Sequence, residues 1–327
     1  MINFEYTRVY SVKAAVDTLA KNPAGGFIAG GTNLVDLMKK GVTAPVRLVD
    51  INNLPLKQVE ETSQGLAIGA LALNSDVAEH TLVKDKYPLL SLALKAGASA
   101  QLRNMATVGG NMMQRTRCTY FYDTVMPCNK RNPGSGCGAL QGYNRMHAIF
   151  GASDQCIAVH PSDMCVALAA LDATVQVSGP KGDRSIPFTD FHRLPGTMPD
   201  KDNTLQKGEL ITGVIIPAND LAQHAAYLKL RDRASYAFAL VSVAAALQLN
   251  GGTIAQARLA MGGVAHKPWR LNEAERFLAG KPASVQAFEQ AAALAMKGAK
   301  GYGHNNFKLK MAPAAIVQAL SQAAAIS

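Results

Sequence analysis

The alternation of apolar and polar residues in the first forty positions predicts a helix, a short strand and a second helix. Ser11 is a suitable N-cap for a helix over Val12–Ala20. Phe27–Ala29 then reads as a short apolar strand, followed directly by the turn Gly30–Asn33 and a helical stripe over Leu34–Met38. A glycine turn between a strand and a helix N-terminus suits a phosphate or pyrophosphate, because free N–H groups and the helix dipole converge there. A purely structural tight turn explains this pattern equally well.

The pattern beyond this turn predicts two regions of different style. Up to residue 220, helices alternate with strands. The predicted strands are Arg47–Ile51, Gly65–Leu73, Ala173–Ser178 and Glu209–Pro217. The predicted helices are one capped by Ser75, one over Tyr87–Ala98, and one with an apolar stripe of Met164, Leu168 and Leu171. After residue 220, an antiparallel meander is predicted with strands over His224–Leu230, Ala239–Leu249 and Thr253–Met261. Three helices follow, over Asn272–Leu278, Val285–Met296 and Ala312 to the C-terminus. We therefore predict a domain boundary near residue 220.

Composition indicates an ordinary globular protein. The chain has 327 residues, of which 48% are hydrophobic and 17% charged, with a net charge of +10. The basic residues are dispersed rather than arranged in a block or a nucleic-acid module, which argues against nucleic-acid binding. We find no apolar run of about eighteen residues, and the start resembles no signal peptide, so a cytoplasmic location is the simplest expectation.

The stretch from Thr107 to Asp163 contains most of the candidate chemistry. It opens with Thr107-Val108-Gly109-Gly110-Asn111, a turn whose two glycines allow a close backbone approach. It then contains four of the five cysteines, Cys118, Cys128, Cys137 and Cys156, in a turn-rich segment without apolar period. A long irregular segment in a compact domain needs an internal organiser, and one inorganic centre bound by four thiolates would provide it.

The spacing of these cysteines leaves several types of site open. Nine, eight and eighteen residues separate them in turn. A structural zinc site usually has a close pair of cysteines, which is missing here, and classical ferredoxins also use short spacings. An iron–sulfur cluster is favoured, with zinc, disulfides or free thiols as alternatives. Nearby cations would stabilise a negatively charged cluster, and the chain offers Arg115, Arg117, Lys130 and Arg131.

Cys165 and several missing motifs complete the analysis of candidate chemistry. Cys165 lies on a predicted apolar helix, and we interpret it as a core residue. We find no G-x-G-x-x-G after a strand, no phosphate-binding G-x-x-x-x-G-K-[ST], no H-E-x-x-H and no G-x-S-x-G. The chain therefore lacks the common sequence signatures of dinucleotide-binding proteins, nucleotide-binding proteins, metalloproteases and hydrolases.

Three motifs together resemble the FAD-binding subunit of the molybdenum hydroxylases, the family of xanthine dehydrogenase, carbon monoxide dehydrogenase and the aldehyde oxidoreductases. They are Phe27–Leu34, Arg103–Asn111 and Pro161–Asp163, and a fourth, Gly262–Arg270, resembles the family's C-terminal flavoprotein domain. The resemblance covers essentially the whole chain. The cysteine-bearing insertion is found in only some branches, and the chain is most similar to the periplasmic aldehyde oxidoreductases of enterobacteria.

The resemblance implies an α+β fold in two parts. Residues 1–220 would form a two-subdomain FAD-binding domain of the vanillyl-alcohol-oxidase (PCMH) type. Its subdomains would span about 1–55 and 56–220, with the Fe–S insertion at about 112–160. Residues 221–327 would form a smaller α+β flavoprotein domain of the carbon monoxide dehydrogenase type.

The resemblance also implies the positions of FAD and of the metal centre. FAD would contact Phe27, Ile28, Ala29, Gly30, Gly31, Thr32, Asn33, Leu34, Thr107, Gly110, Asn111, Asp163, Ile216 and Lys229. A carboxylate at Asp163 could accept from the flavin ring, and Lys229 would stabilise the reduced, anionic flavin. A side chain at Gly30 is expected to fill the space of the pyrophosphate. The four cysteines of the insertion would bind one [4Fe–4S] cluster.

The implied activity is electron transfer within an aldehyde oxidoreductase. The partners would be a large molybdenum-cofactor subunit, which oxidises the aldehyde to the acid, and a small subunit with two [2Fe–2S] clusters. The complex would be exported folded through a partner's twin-arginine signal to the periplasm, with a cytoplasmic location as the alternative. The FAD subunit of another molybdenum hydroxylase, a stand-alone flavin oxidase and a zinc-stabilised interaction protein are the competing interpretations.

Overall fold

A computed structural model describes residues 1–325 of the chain as a sequence of three β-sheets with helices packed on them. The strands of these sheets lie within residues 5–50, 59–216 and 225–270. Within the described part of the chain, no helix has both the length and the apolar composition needed to cross a membrane. The predicted boundaries near residues 55 and 220 stay predictions.

The first sheet is small and parallel. Its strands Glu5–Arg8 and Gly26–Ile28 both pair with the central strand Arg47–Asp50. The helix Val12–Lys21 begins where the side chain of Ser11 accepts a hydrogen bond from the N–H of Ala14, and the helix Leu34–Lys39 follows the glycine turn. This arrangement holds the glycine turn at the C-terminal end of a parallel strand.

The second sheet has five antiparallel strands and carries the main core of the first 220 residues. Its strands are, in spatial order, Val59–Thr62, Gly65–Gly69, Leu210–Ile216, Thr174–Gly179 and Gly182–Pro187. The helices of this region are Asn74–Glu79, Thr81–Lys86, Pro88–Ala96, Ala100–Arg103, Val108–Met112, Asp163–Ala170 and Phe188–Phe191. Asp163–Ala170 is buried over its whole length, because it packs against the helix Pro88–Ala96 and against strands of the third sheet.

The insertion between Met112 and Asp163 contains little regular structure. Within the described residues its helices are the single turns Thr119–Tyr122 and Gly138–Gln141. Many of its polar groups are nevertheless satisfied. Asn129, for example, accepts backbone N–H bonds from Gly134 and Gly136 through Oδ1. The insertion is therefore ordered by side-chain and backbone hydrogen bonds rather than by helices or strands.

The third sheet and three helices form the C-terminal part. The strands, in spatial order, are Trp269–Arg270, Thr253–Gly262, Val241–Asn250 and Ala225–Leu230, all antiparallel. The helices Asn272–Leu278, Val285–Ala295 and Lys308–Ala323 pack on one face of this sheet. The other face meets the helix Asp163–Ala170, so the two parts share an apolar interface.

Several predicted boundaries differ from the structure for identifiable reasons. The helix predicted to follow a cap at Ser75 begins at Asn74, and the strand predicted to reach Leu73 ends at Gly69. The last helix begins at Lys308 rather than Ala312, with Pro313 inside it. A fully buried Lys308 gives no apolar signal, and a proline near the start of a helix suggests a later start.

Candidate functional site

The first cavity of interest lies between the glycine turn and the second predicted loop. It has a volume of about 460 Å³ and is lined by Phe27–Leu34, by Ala106, Thr107, Gly109 and Gly110, and by Leu205–Ile211. The eight residues predicted in the first loop therefore all face one cavity, together with Thr107 and Gly110. The segment Leu205–Ile211 was not predicted to be part of the site, because its turn at Gly208 leads into the strand Leu210–Ile216 and not into a helix N-terminus.

The two loops contact each other directly. Gly31 has a left-handed backbone with φ of +71°, which glycine adopts without strain. Gly30 does not, but a Cβ there would overlap the backbone carbonyl of Met105. The expected reason for a glycine at this position, space for a pyrophosphate, is therefore corrected: Gly30 allows the loop around Met105 to approach.

Side-chain hydrogen bonds fix the second loop. The hydroxyl of Thr107 accepts from the N–H of Gly110 at 3.2 Å and caps the helix Val108–Met112, so the predicted turn is in fact a short helix. Asn111 accepts a bond from the hydroxyl of Ser162 at 2.6 Å through Oδ1. The second loop is thereby joined to the Pro161–Asp163 motif, as expected if both surround one ligand.

Asp163 and Lys229 form a buried ion pair with 2.8 Å between Oδ2 and Nζ. The hydroxyl of Tyr227 donates to the other carboxylate oxygen at 2.7 Å, and Lys229 also donates to the carbonyl of Ala96 at 3.0 Å. Sequence reasoning placed both charges near a flavin ring without pairing them. The structure shows that they neutralise each other across the interface between the two parts.

A second, smaller cavity begins beside Asp163 and reaches the insertion. Its volume is about 180 Å³, and its lining includes Asp163, Ser242, Phe238, His147 and Cys118. Ile216, the remaining predicted contact, lies elsewhere: it is fully buried in the core of the five-stranded sheet, paired with Leu66. Its proposed contact with the flavin stays a prediction.

The four cysteines of the insertion line one small enclosed cavity. Cys118, Cys128, Cys137 and Cys156 all border it, and Cys128 and Cys137 face each other across an isolated antiparallel bridge. A hydrogen bond from Cys156 lowers the pKa of the Cys137 thiol to about 6, while the same bond and burial raise the pKa of Cys156. Burial raises the pKa of Cys118 to about 12. Uncompensated charge on Cys118 and Cys156 is costly, so a cationic centre would have to stabilise their thiolate forms.

The basic side chains near the thiols do not all act as predicted. Lys130 is buried and donates to the carbonyl of Pro199 at 2.8 Å. It also donates to the carboxylate of Asp202, which Arg115 binds as well. Burial would raise the pKa of Asp202, but Lys130 and Arg115 outweigh it and lower the pKa to about 2. Asp202 therefore balances part of the positive charge that the sequence assigned to the cluster.

The other two predicted cations bind neutral groups rather than a carboxylate. Arg131 donates to the backbone carbonyls of Tyr120 and Phe121, both at 2.8 Å. Arg117 donates to the hydroxyl of Tyr122 at 2.8 Å. These two side chains brace the insertion and, within residues 1–325, form no ion pair with a carboxylate.

Two histidines near the thiols were missed by sequence reasoning. Nε2 of His147 lies 3.1 Å from Sγ of Cys118, and Nε2 of His266 lies 3.3 Å from Sγ of Cys156. Both rings are buried, and burial lowers the pKa of His147 to about 4 and that of His266 well below its ordinary value. Both histidines are therefore neutral near pH 7. His266 lies within the Gly262–Arg270 motif, which was its only signal.

Cys165 lies apart from the other four thiols, on the buried helix Asp163–Ala170. Its Sγ and one ring nitrogen each of His160 and His192 lie within 4.8 Å of one another, and all three residues are buried. The N–H of Ser162 reaches Nδ1 of His160 at 3.4 Å, and Nε2 of His192 faces the carbonyl of Met112 at 2.9 Å. Cys165 is therefore a buried residue of the core. That it binds no metal in the cysteine-lined cavity stays a prediction.

The chain matches two known protein families in consecutive ranges. Residues 2–219 match the FAD binding domain in molybdopterin dehydrogenase. Residues 225–323 match the CO dehydrogenase flavoprotein C-terminal domain. Together they account for nearly the whole chain, in the order in which the sequence motifs occur.

Relatives of similar length support the same assignment. The chain is 48% identical to the aldehyde oxidoreductase FAD-binding subunit PaoB of Escherichia coli (strain K12) over 324 residues, covering 98% of each chain. It is 33% identical over 279 residues to the glyceraldehyde dehydrogenase medium chain of Sulfolobus acidocaldarius, covering 85% of this chain and 82% of the relative.

Among solved structures, a chain of the carbon monoxide dehydrogenase of Hydrogenophaga pseudoflava is similar over 99% of both chains, with a TM-score of 0.78 and 27% identity. A chain of quinoline 2-oxidoreductase from Pseudomonas putida 86 has a TM-score of 0.76 at 26% identity, over 99% of this chain and 98% of the other. The predicted α+β fold, with an FAD-binding domain followed by a carbon monoxide dehydrogenase type C-terminal domain, is confirmed.

Proposed function

Because this chain belongs to the family of FAD-binding subunits of molybdenum hydroxylases, we propose that it carries FAD and one [4Fe–4S] cluster in an aldehyde oxidoreductase. The similarity to the aldehyde oxidoreductase and glyceraldehyde dehydrogenase subunits supports an aldehyde as the substrate of the complex. The aldehyde would be oxidised to the acid on the large molybdenum-cofactor subunit.

Two cavities offer complementary surroundings for the two ends of FAD. The cavity of about 460 Å³ offers the glycine turn and the capped helix Val108–Met112 to the phosphates and ribose. The smaller cavity beside Asp163 offers a largely apolar space for the flavin ring. The bound flavin would accept electrons one at a time from iron–sulfur centres and deliver them to an external acceptor.

The cysteine-lined cavity supports the cluster, and this is the observation that carries the proposal. Within residues 1–325, none of the five cysteines forms a disulfide. In that same described part, no three of the four lining sulfur atoms lie within 4.8 Å of one another. A single zinc ion with bonds of about 2.3 Å would bring its thiolates closer together. Four thiolates that each bind a different iron of one cluster stand farther apart, so the donor set fits iron–sulfur better than zinc.

The proposed partners follow from the family. A large subunit with the molybdenum cofactor and a small subunit with two [2Fe–2S] clusters would complete a heterotrimer with this chain. The relatives support assembly into a complex, since they are named as subunits or medium chains. Electrons would pass from the molybdenum centre through the partner clusters to this chain.

The proposal is tested on the complex purified without oxygen. Absorbance should show flavin bands near 450 nm on a broad iron–sulfur background, and chemical analysis should find four more iron and sulfide per complex than the partner clusters supply. Flavin with iron for the two [2Fe–2S] clusters alone would refute the [4Fe–4S] cluster. Zinc in stoichiometric amount would identify the competing structural site.

A further inference from the structure

Two buried histidines from different parts of the chain each approach a different sulfur of the cysteine-lined cavity. His147 belongs to the insertion and reaches Cys118 at 3.1 Å, whereas His266 belongs to the C-terminal part and reaches Cys156 at 3.3 Å. Donor–sulfur distances of this size are hydrogen bonds, because sulfur is a larger acceptor than oxygen. The two contacts therefore touch two of the four proposed cluster ligands independently.

Both rings are held in place by their surroundings. The backbone carbonyl of His147 accepts from the buried ammonium of Lys308 at 2.9 Å and from the side chain of Asn305 at 3.3 Å. The backbone carbonyl of Ala265, next to His266, accepts from the backbone N–H of His160 at 2.9 Å. These bonds anchor the backbone at both histidines, and burial restricts the rings themselves.

The contacts identify the histidines as donors rather than as metal ligands. Over residues 1–325, neither Nε2 belongs to a group of three or more ligand atoms within 4.8 Å. Nδ1 of both rings lacks a hydrogen-bond partner in this part of the chain. In each ring Nε2 is the nitrogen directed at a sulfur acceptor, so an N–H at Nε2 satisfies the contact.

We infer that His147 and His266 are positioning residues that donate N–H···S hydrogen bonds to Cys118 and Cys156 and so raise the reduction potential of the cluster. This inference rests on the proposed function, since it requires a cluster in the cavity. A donor to a ligating thiolate withdraws charge from the sulfur and favours the more negative, reduced cluster. Because His266 comes from the C-terminal part, that part would help to set the potential of a centre bound by the N-terminal part.

The experiment is a redox titration of the whole complex, following the EPR signal of the reduced [4Fe–4S] cluster. His147→Phe and His266→Phe keep an aromatic ring of similar size but remove the donor, and each should lower the midpoint potential. His147→Gln and His266→Gln keep an N–H donor and should return the potential toward the wild-type value. His224→Gln serves as control, because His224 contacts the carbonyl of Ala323 and no thiol. The double Phe variant should show about the sum of the two shifts.

The outcomes separate the inference from the proposed function. Wild-type complex without iron beyond the partner clusters would overturn the cluster itself. A full iron content with an unchanged potential in both Phe variants would overturn the role of the histidines alone. Should a Phe variant lose its iron, its Gln counterpart decides: a wild-type potential supports the donor role, and a lowered potential contradicts it.

Discussion

Asp163 and Lys229 are 66 residues apart in sequence, yet Nζ of the lysine lies 2.8 Å from a carboxylate oxygen of the aspartate, with both side chains almost fully buried. Asp163 opens a helix of the FAD-binding part, and Lys229 lies on the edge strand Ala225–Leu230 of the C-terminal part. The pair joins the two parts next to the cavity proposed for the flavin ring.

Removing only the lysine should be strongly destabilising. Lys229→Met leaves the carboxylate of Asp163 buried without a counter-charge, at a cost of roughly 3–5 kcal/mol in the free energy of unfolding. Asp163→Leu together with Lys229→Met removes both charges, and Tyr227 keeps Ser242 as a partner at 3.0 Å. Denaturant titration should therefore find the double variant more stable than Lys229→Met, and a double variant that is less stable would contradict this account.

Gly30 should be needed because the two FAD loops meet there. Gly30→Ala places a methyl group against the carbonyl of Met105 and should separate the loops, so that flavin content falls several-fold. Gly26→Ala is the matched comparison, because it adds a methyl group in the same cavity with its nearest protein neighbour 4.0 Å away. Flavin absorbance of the purified variants measures the effect. Full FAD occupancy in Gly30→Ala would show that the contact between the loops is dispensable.

The cysteines should divide into four ligands and one core residue. Serine at Cys118, Cys128, Cys137 or Cys156 should abolish the cluster or leave it labile, because a serine oxygen is a poor ligand for iron–sulfur clusters. Cys165→Ser should keep full iron and lose only packing stability. Iron and sulfide analysis of each variant tests this division, and iron loss in Cys165→Ser with full iron in Cys156→Ser would reverse it.

Asp202 should make stability depend on acid pH. Its pKa is about 2 in the folded protein against an ordinary value of 3.8. Because the pKa is lower in the folded state, the ionised carboxylate of Asp202 stabilises the fold fully above about pH 4. This contribution to the free energy of unfolding is lost as the pH falls toward 2. The shift corresponds to an upper limit of about 2 kcal/mol in the free energy of unfolding. Partial exposure of the side chain to solvent reduces this value.

Asp202→Asn tests this contribution, with the exposed Asp200→Asn as control. The free energy of unfolding, measured between pH 6 and pH 2, should fall less steeply in Asp202→Asn than in wild type. The Asp200 variant should keep the wild-type slope. Equal slopes in wild type and Asp202→Asn would mean that the carboxylate is not held ionised by Lys130 and Arg115.

Localisation is predicted to depend on a partner. We propose that the assembled complex reaches the periplasm as a folded passenger of a subunit with a twin-arginine signal. Fractionation of cells that express the whole complex, with and without that signal, should move this chain from the periplasmic to the cytoplasmic fraction. If the chain stays with cytoplasmic markers while the signal is intact, the cytoplasmic alternative holds.

Local patterns predicted the regular elements well where neighbouring residues determine them. The cap at Ser11, the strand before the glycine turn and the antiparallel meander after residue 220 all follow from short-range periodicity. The strands Glu5–Arg8 and Val59–Thr62 were missed because they are largely exposed and show little apolar alternation. Their place is set by pairing with neighbours distant in sequence.

The sequence by itself determined the family, the order of the two parts and the identity of the five thiols, because motifs and cysteine spacing are properties of the chain. Only the tertiary structure decided which groups meet. It brought His266 to Cys156, Asp202 to Lys130 and Asp163 to Lys229, contacts between segments 66 to 110 residues apart. Such contacts depend on how sheets and helices pack, and single buried polar residues leave no periodic signal from which their partners could be predicted.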